Sequence, residues 1–412
     1  MLAHIFEGRL AALVCFLAIL TGGGVPAFAQ PSDTLLQMIC WQNEGEKLQG
    51  SVDLLADFQE ANPGLRVNLT YDRWPQAHAR LKYWTGSLRN YAPDLTVMHD
   101  TWLPQFATSL VPLDDLLTER DLQGMQPALL DRCRANGKLL GVPWLCEARV
   151  LYYRTDLFEA AKLPAPQTLD DLRAAAKALT TPERYGLGLP AQPGGGGVDA
   201  YLGLLWAFGG EALRNGKPAL KSDQATQALQ YWLDLQREGV AEPEALAWNS
   251  SELDEAFATD KLAMVFSGPA LGKYLRQQQP KLKFATAPLP GAKSQPGQVS
   301  ADVLVLLGGT KNSEAAVRFL RYMLSANAQR ALWLMGGLPA RKEHLEQARQ
   351  DPAQHAFVER LPEAKGLPLQ QTERFGSMVE RSLWLALSGR AGAAEALRQA
   401  LQEDEEPGLA GG

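Results

Sequence analysis

Cysteine is scarce, and nowhere spaced as a metal would need it. The 412-residue chain holds four. None falls in a CxxC pair, so no structural zinc site is encoded. His78, His99, His344 and His355 show no HExxH or other ligand spacing, and no metal or other cofactor is expected. The glycine run at 194–197 is not followed by Lys-Ser/Thr, so it is not a phosphate-cradling loop, and no GxGxxG opens a helix after a strand. A G-x-S-x-G nucleophile elbow is also missing. Lys and Arg form no cluster and the net charge is -6, which argues against a nucleic-acid partner.

What is present begins with an N-terminal targeting segment. Residues 10–20 are apolar but too few to span a bilayer, and Ala27-Phe28-Ala29 before Gln30 reads as a cleavage site. Residues 1–29 therefore read as a signal peptide. Cys15 lacks the small-residue context of a lipoprotein site, so a free periplasmic protein is expected. Cys40, Cys133 and Cys146 then remain for an oxidising compartment. They leave two alternatives: a Cys133–Cys146 disulfide around the Gly137 turn, or three buried thiols.

The length calls for two domains, and the 46% hydrophobic content supplies enough apolar side chains for two cores. A strand at 35–40 is followed by a polar loop with Glu44, then by a helix carrying Leu48, Val52, Leu55 and Phe58. Leu65, Val67, Leu69 and Tyr71 alternate as a strand; a helix at 74–84 and a strand with Leu95 and Val97 follow. This alternation is that of a parallel sheet covered by helices, where ligands sit beyond the strands' carboxyl ends. Glu44, Asp100 and Trp102 fall on that rim. Later helices are expected at 169–179, 199–208, 226–236 and 312–324, with Trp232 as core at helical spacing.

The chain is organised around residues 137–158, GKLLGVPWLCEARVLYYRTDLF. Two extended runs, 142–146 and 149–153, flank the polar joint Glu147-Ala148-Arg149, and a helix capped by Thr155 or Asp156 follows. Its Gly-Val-Pro-aromatic run, Leu-Tyr-Tyr-Arg and Asp-Leu-Phe resemble the extracellular solute-binding proteins of ABC importers, in the group that includes maltose- and trehalose-binding proteins. Residues 248–269, WNSSELDEAFATDKLAMVFSGP, are similar to the same family's return crossover, and Gly336-Gly337-Leu338-Pro339-Ala340-Arg341 to its third.

The resemblance implies an α/β fold of the type II periplasmic-binding-protein kind, with two discontinuous lobes joined by a hinge. The first would comprise 30–145 and 270–339, including strands at 284–288 and 303–307, and the second 146–269 and 340–412. It implies a monomer that closes on a small solute, a di- or oligosaccharide in the first instance, and hands it to a membrane permease without chemistry. A periplasmic carbohydrate-active enzyme, a sensor's binding protein, and a carrier of a sugar phosphate, polyol or other non-sugar are the alternatives.

By the same resemblance, carboxylates at Glu44, Asp100 and Glu147 would accept hydrogen bonds from hydroxyls. Trp102, Trp144, Trp206 and Trp248, among ten tryptophans, would offer flat faces. Ser267 and Gly268 stand at the return crossover. Asp302 replaces an aromatic that relatives often carry. Arg149, Arg341 and Arg374 would favour an acidic solute if two of them met in one cleft.

Overall fold

The computed structural model describes residues 33–42, 49–73, 76–194, 196–291, 299–361, 367 and 369–405. Two sheets organise it. The first contains β1 (Thr34–Gln42), β2 (Leu65–Arg73), β3 (Leu95–His99), β4 (Gly141–Ala148) and β8 (Val299–Leu306), in the order β2-β1-β3-β8-β4. Its β1, β2 and β3 run parallel, whereas β8 is antiparallel to both β3 and β4. The parallel part follows from the helices between its strands: α1 (Gln49–Ala61) joins β1 to β2, and α2 (Ala77–Thr85) lies between β2 and β3.

The second sheet has β5 (Val150–Arg154) at its centre, flanked by β6 (Met264–Ser267) and β7 (Phe284–Ala287), both antiparallel to it. This corrects one reading of the sequence. The strand at 284–287 pairs with Leu151–Arg154 and belongs to the second sheet, not to that of Val303. An apolar four-residue strand fits either wall; its partner decides.

Alternate residues of a strand point to opposite faces, and the second sheet uses both. Leu151, Met264 and Phe266 join a core with α4 (Leu169–Leu179), α5 (Gly197–Ala207), α6 (Asp223–Arg237), α11 (Leu369–Leu387) and α12 (Ala393–Glu405). Trp232 lies fully buried there, as its spacing predicts. Val150, Tyr152 and Val265 face the other way. There they meet Phe257 of α7 (Ser250–Ala258), Leu271 and Leu275 of α8 (Pro269–Gln278), and Phe357, in a cluster continuous with the first sheet's core. The amphipathic helix α9 (Ser313–Met323) buries Ala316, Phe319, Leu320 and Met323 against that same core, and α10 (Ala326–Leu334) follows it.

Local signals set several boundaries. Thr168 caps α4 and Asn249 caps α7, each in a reciprocal arrangement with the acidic residue three positions on. The helix α3 (Thr155–Ala161) begins on Thr155 itself, so neither Thr155 nor Asp156 is its cap. Asp156 instead takes a forked pair of hydrogen bonds from Arg154. Cys40, Cys133 and Cys146 are free and buried, and the Cys133 thiol donates to the Leu129 carbonyl at 3.5 Å. The Cys133–Cys146 disulfide is therefore not formed. Among the described residues no helix is long and apolar enough to cross a membrane.

Candidate functional site

Arg149 is the only residue between the two sheets on this strand. Ala148 still pairs with Val299 in the first, and Val150 already pairs with Ser267 in the second. A pleated run that changes sheets in one step leaves its joint residue out of both ladders, so its side chain can turn toward polar neighbours. Arg149 Nε lies 3.6 Å from Asp199 at the start of α5, and Nη2 lies 4.0 Å from Glu147. The Arg149 side chain is 21% exposed, against 46% for that of Glu147. Burial works against its charge, but Glu147, Asp199 and Asp254 outweigh it and hold Arg149 more firmly protonated.

Below this pair, α7 and the end of β6 add Asp254 and Ser267. Ser267 is 1% exposed. Ser267 Oγ and Asp254 Oδ1 are both cut off from solvent without a hydrogen-bond partner among the described residues. The serine hydroxyl is nevertheless close enough to favour the ionised carboxylate. Burial dominates and pushes the Asp254 carboxyl up to about 7, with Ser267 and Arg149 opposing and Glu147 adding to the rise. An unmet buried polar atom costs about 1–3 kcal/mol, and here two such atoms lie at one place, the hydroxyl beside the carboxylate it favours. A Cβ on Gly268 would come 3.4 Å from Arg149 Nη1 and 3.8 Å from Glu147 Oε2, which puts that turn beside the same groups.

The first sheet contributes His99 and Asp302, opposite one another in register at the end of β3. Burial would lower the His99 pKa, but the Asp100 carboxylate, aided by Asp302 and Asp199, raises it to about 9. Asp199 thus acts on both Arg149 and His99, linking the crossover to the rim of the first sheet.

Asp100 itself is fully buried. Arg132 Nε and the Ala301 amide both donate to its Oδ2, at 2.6 and 2.8 Å, and His99 Nδ1 lies 3.1 Å from its other oxygen. It organises the rim from beneath rather than presenting oxygens to solvent. Trp144 is likewise 3% exposed, its ring packed inside the first core instead of offering a face. Trp102 is half-buried and tilted against His78 and His99, and α11 packs on its turn. Trp248 is half-buried just before Asn249 caps α7. Trp206, half-buried on the second core, sits two turns along α5 from Asp199.

Arg341 does not join the group. It bonds Glu343 and the carbonyls of Leu324 and Gln123, clamping a first-core loop. Arg374 is exposed on α11. Glu44 lies outside the described residues. The structure therefore gathers Glu147, Ser267, Gly268 and Asp302 from the expected set and adds Asp199, Asp254 and His99. Asp199 was missed because it stands in the first turn of a helix and reads as a solvated acid there, and Asp254 because it follows Glu252 and precedes Glu255 on a helix that reads as acidic and solvated. No group of His, Cys, Asp and Glu among the described residues is arranged to hold a metal ion.

Residues 42–330 match the bacterial extracellular solute-binding proteins. The chain belongs to that family. A protein of Brucella abortus (strain 2308) assigned as a binding protein is 27% identical over 333 residues, covering 76% of this chain and 78% of its own. Among solved structures, the maltose-bound MalE3 of T. maritima superposes with a TM-score of 0.81 at 22% identity, over 90% of this chain and 99% of its own. An ABC transporter solute-binding protein of Thermotoga lettingae bound to alpha-D-tagatose gives 0.81 at 21% identity, over 90% and 99%. The solute-binding chain thus has the type II periplasmic-binding-protein fold, and its family is one of binding proteins rather than enzymes.

Proposed function

We propose that this solute-binding protein serves an ABC importer, capturing a small neutral sugar or polyol outside the cytoplasm and presenting it to the membrane permease. The reading rests foremost on the polar group at the crossover: Arg149 between Glu147 and Asp199, with Asp254 and Ser267 beneath. Hydroxyls both donate and accept, so a polyhydroxylated solute matches a set that mixes carboxylates, a hydroxyl and one guanidinium. The sugars held by the structurally similar proteins are of this class. With Arg341 engaged elsewhere, it does not supply the second arginine that would favour an acidic solute.

The proposed mechanism is hinge closure. One lobe would comprise residues up to 148 together with 299–339, and the other 150–287 together with 340–405; sheet membership supports the parts that carry strands. A solute touching both adds contacts only when they close, so binding shifts the open–closed equilibrium by its difference in affinity for the two states. The remaining parts of the proposal are export by cleavage after Ala29 and action as a monomer. The test is a thermal-shift screen over sugars, polyols and sugar acids, followed by small-angle scattering with any hit. A neutral sugar or polyol should raise the melting temperature and shrink the radius of gyration. Stabilisation by none of them, or a hit with unchanged scattering, would overturn the proposal.

A further inference from the structure

We infer that Asp254 and Ser267 form the floor of the solute site, together gripping one hydroxyl of the solute, and that this floor excludes anionic solutes. The inference rests on the sugar- or polyol-binding reading of the same site. Along β6, Met264 and Phe266 point into the second core, while Val265 and Ser267 share the opposite face. A strand flanked by apolar packing has no structural need for a hydroxyl at Ser267, which is buried with Oγ unpartnered among the described residues. Asp254, on the helix packed over that strand, supplies a carboxylate beside that hydroxyl, whose Oδ1 likewise has no partner among the described residues. A solute hydroxyl satisfies both at once, donating to Asp254 Oδ1 and accepting from Ser267 Oγ.

Charge sets what is refused. Glu147, Asp199, Asp254 and Asp302 surround the positions of Arg149 and His99, and Arg149 is already flanked by two carboxylates. A phosphate or carboxylate on the solute would meet like charge without a free fork to hold it. The charged and titratable groups facing Asp254 are Glu147 and Arg149 from the crossover and Tyr152 from β5, beside the Ser267 hydroxyl. Donation by a solute hydroxyl favours the ionised carboxylate, so binding releases a proton and affinity rises with pH across the range in which Asp254 titrates, near 7.

The test is calorimetric titration of maltose, D-mannitol and D-gluconate into wild type, Asp254→Asn and Ser267→Ala at pH 5.5, 7.0 and 8.5. Expected results are binding of a neutral probe and not of gluconate, with affinity increasing severalfold from pH 5.5 to 8.5. D254N should lose at least tenfold at pH 8.5, and its pH slope should vanish. S267A should lose several-fold while keeping the slope, with melting unchanged or raised. If D254N does not fold, the wild-type slope and S267A decide the matter. A neutral probe that binds with a flat wild-type profile, or equally well to the variants, overturns this inference and leaves the proposed function standing. Gluconate binding more tightly than the neutral probes, or a panel in which nothing binds, overturns both.

Discussion

Arg132 Nε donates to Asp100 Oδ2 across 2.6 Å, with both side chains buried. The same guanidinium donates from Nη1 to the Leu367 carbonyl at 2.7 Å, just ahead of α11. It thereby ties the carboxyl end of β3 to the segment whose Leu367 is packed in the second core. Removing one member of a buried pair strands the other charge, at a cost of about 3–5 kcal/mol. Arg132→Ala should lower unfolding stability in urea by about that amount; a loss below about 1 kcal/mol would mean that water reaches Asp100.

The same cluster sets a pH window. Burial opposes ionisation of Asp100, but His99 and Arg132 prevail and hold it down to about 2. A carboxyl lowered from its unfolded value of about 3.9 stabilises above that value and loses its contribution as pH falls toward 2. His99, raised to about 9, contributes fully below its unfolded value of about 6.5 and loses that contribution as pH rises through 9. Stability from this cluster should therefore be greatest between about pH 4 and 6.5. His99→Gln should flatten the alkaline limb of urea midpoints and also weaken the acid limb, because His99 helps hold Asp100 down; an unaltered alkaline limb would assign it to another group.

At the crossover, Glu147 is half exposed, and the Arg149 ion pairs to Glu147 and Asp199 are long, so neither supports much packing. Glu147→Ala and Arg149→Ala should each weaken binding of a neutral sugar at least tenfold by calorimetry. Their melting temperatures should move little, since partly exposed ion pairs contribute about 0–1 kcal/mol. Full affinity in both variants would remove the crossover from the site.

Trp144 calls for the opposite outcome. Its ring is buried in the first core, two residues before Cys146, and truncation would leave a cavity. Trp144→Ala should cost about 3–5 kcal/mol of stability. Among molecules that remain folded, solute affinity should change far less than in the Glu147 variant. A large affinity loss at unchanged stability would return the ring to the site.

Periodicity made most elements legible: the alternation 65–71, the helical spacing 169–179 and the apolar run 150–153 each became the element they suggest. What local pattern could not carry was partnership. Phe284–Ala287 is as apolar as a first-sheet strand, and only its ladder with β5 assigns it. Asp100 and Glu147 look alike as acids after strands, yet Arg132, thirty-two positions from Asp100 in the chain, draws one inside and leaves the other exposed. Trp144 precedes the polar joint, but the strand's alternation turns it inward. Asp254 became visible as a site candidate only once α7 was packed against β6, bringing it to Ser267.

The cysteines supply the last test. Burial raises the pKa of Cys40, Cys133 and Cys146 above that of an exposed thiol, which leaves little thiolate to react. A chain beginning at Gln30 should therefore react slowly with a thiol reagent when native. Unfolded in denaturant without reductant, it should titrate all three of these thiols at once. A single reactive thiol under those conditions, rising to three with reductant, would demonstrate a disulfide. The free-thiol arrangement, with Cys133 donating to Leu129, would then have to be abandoned.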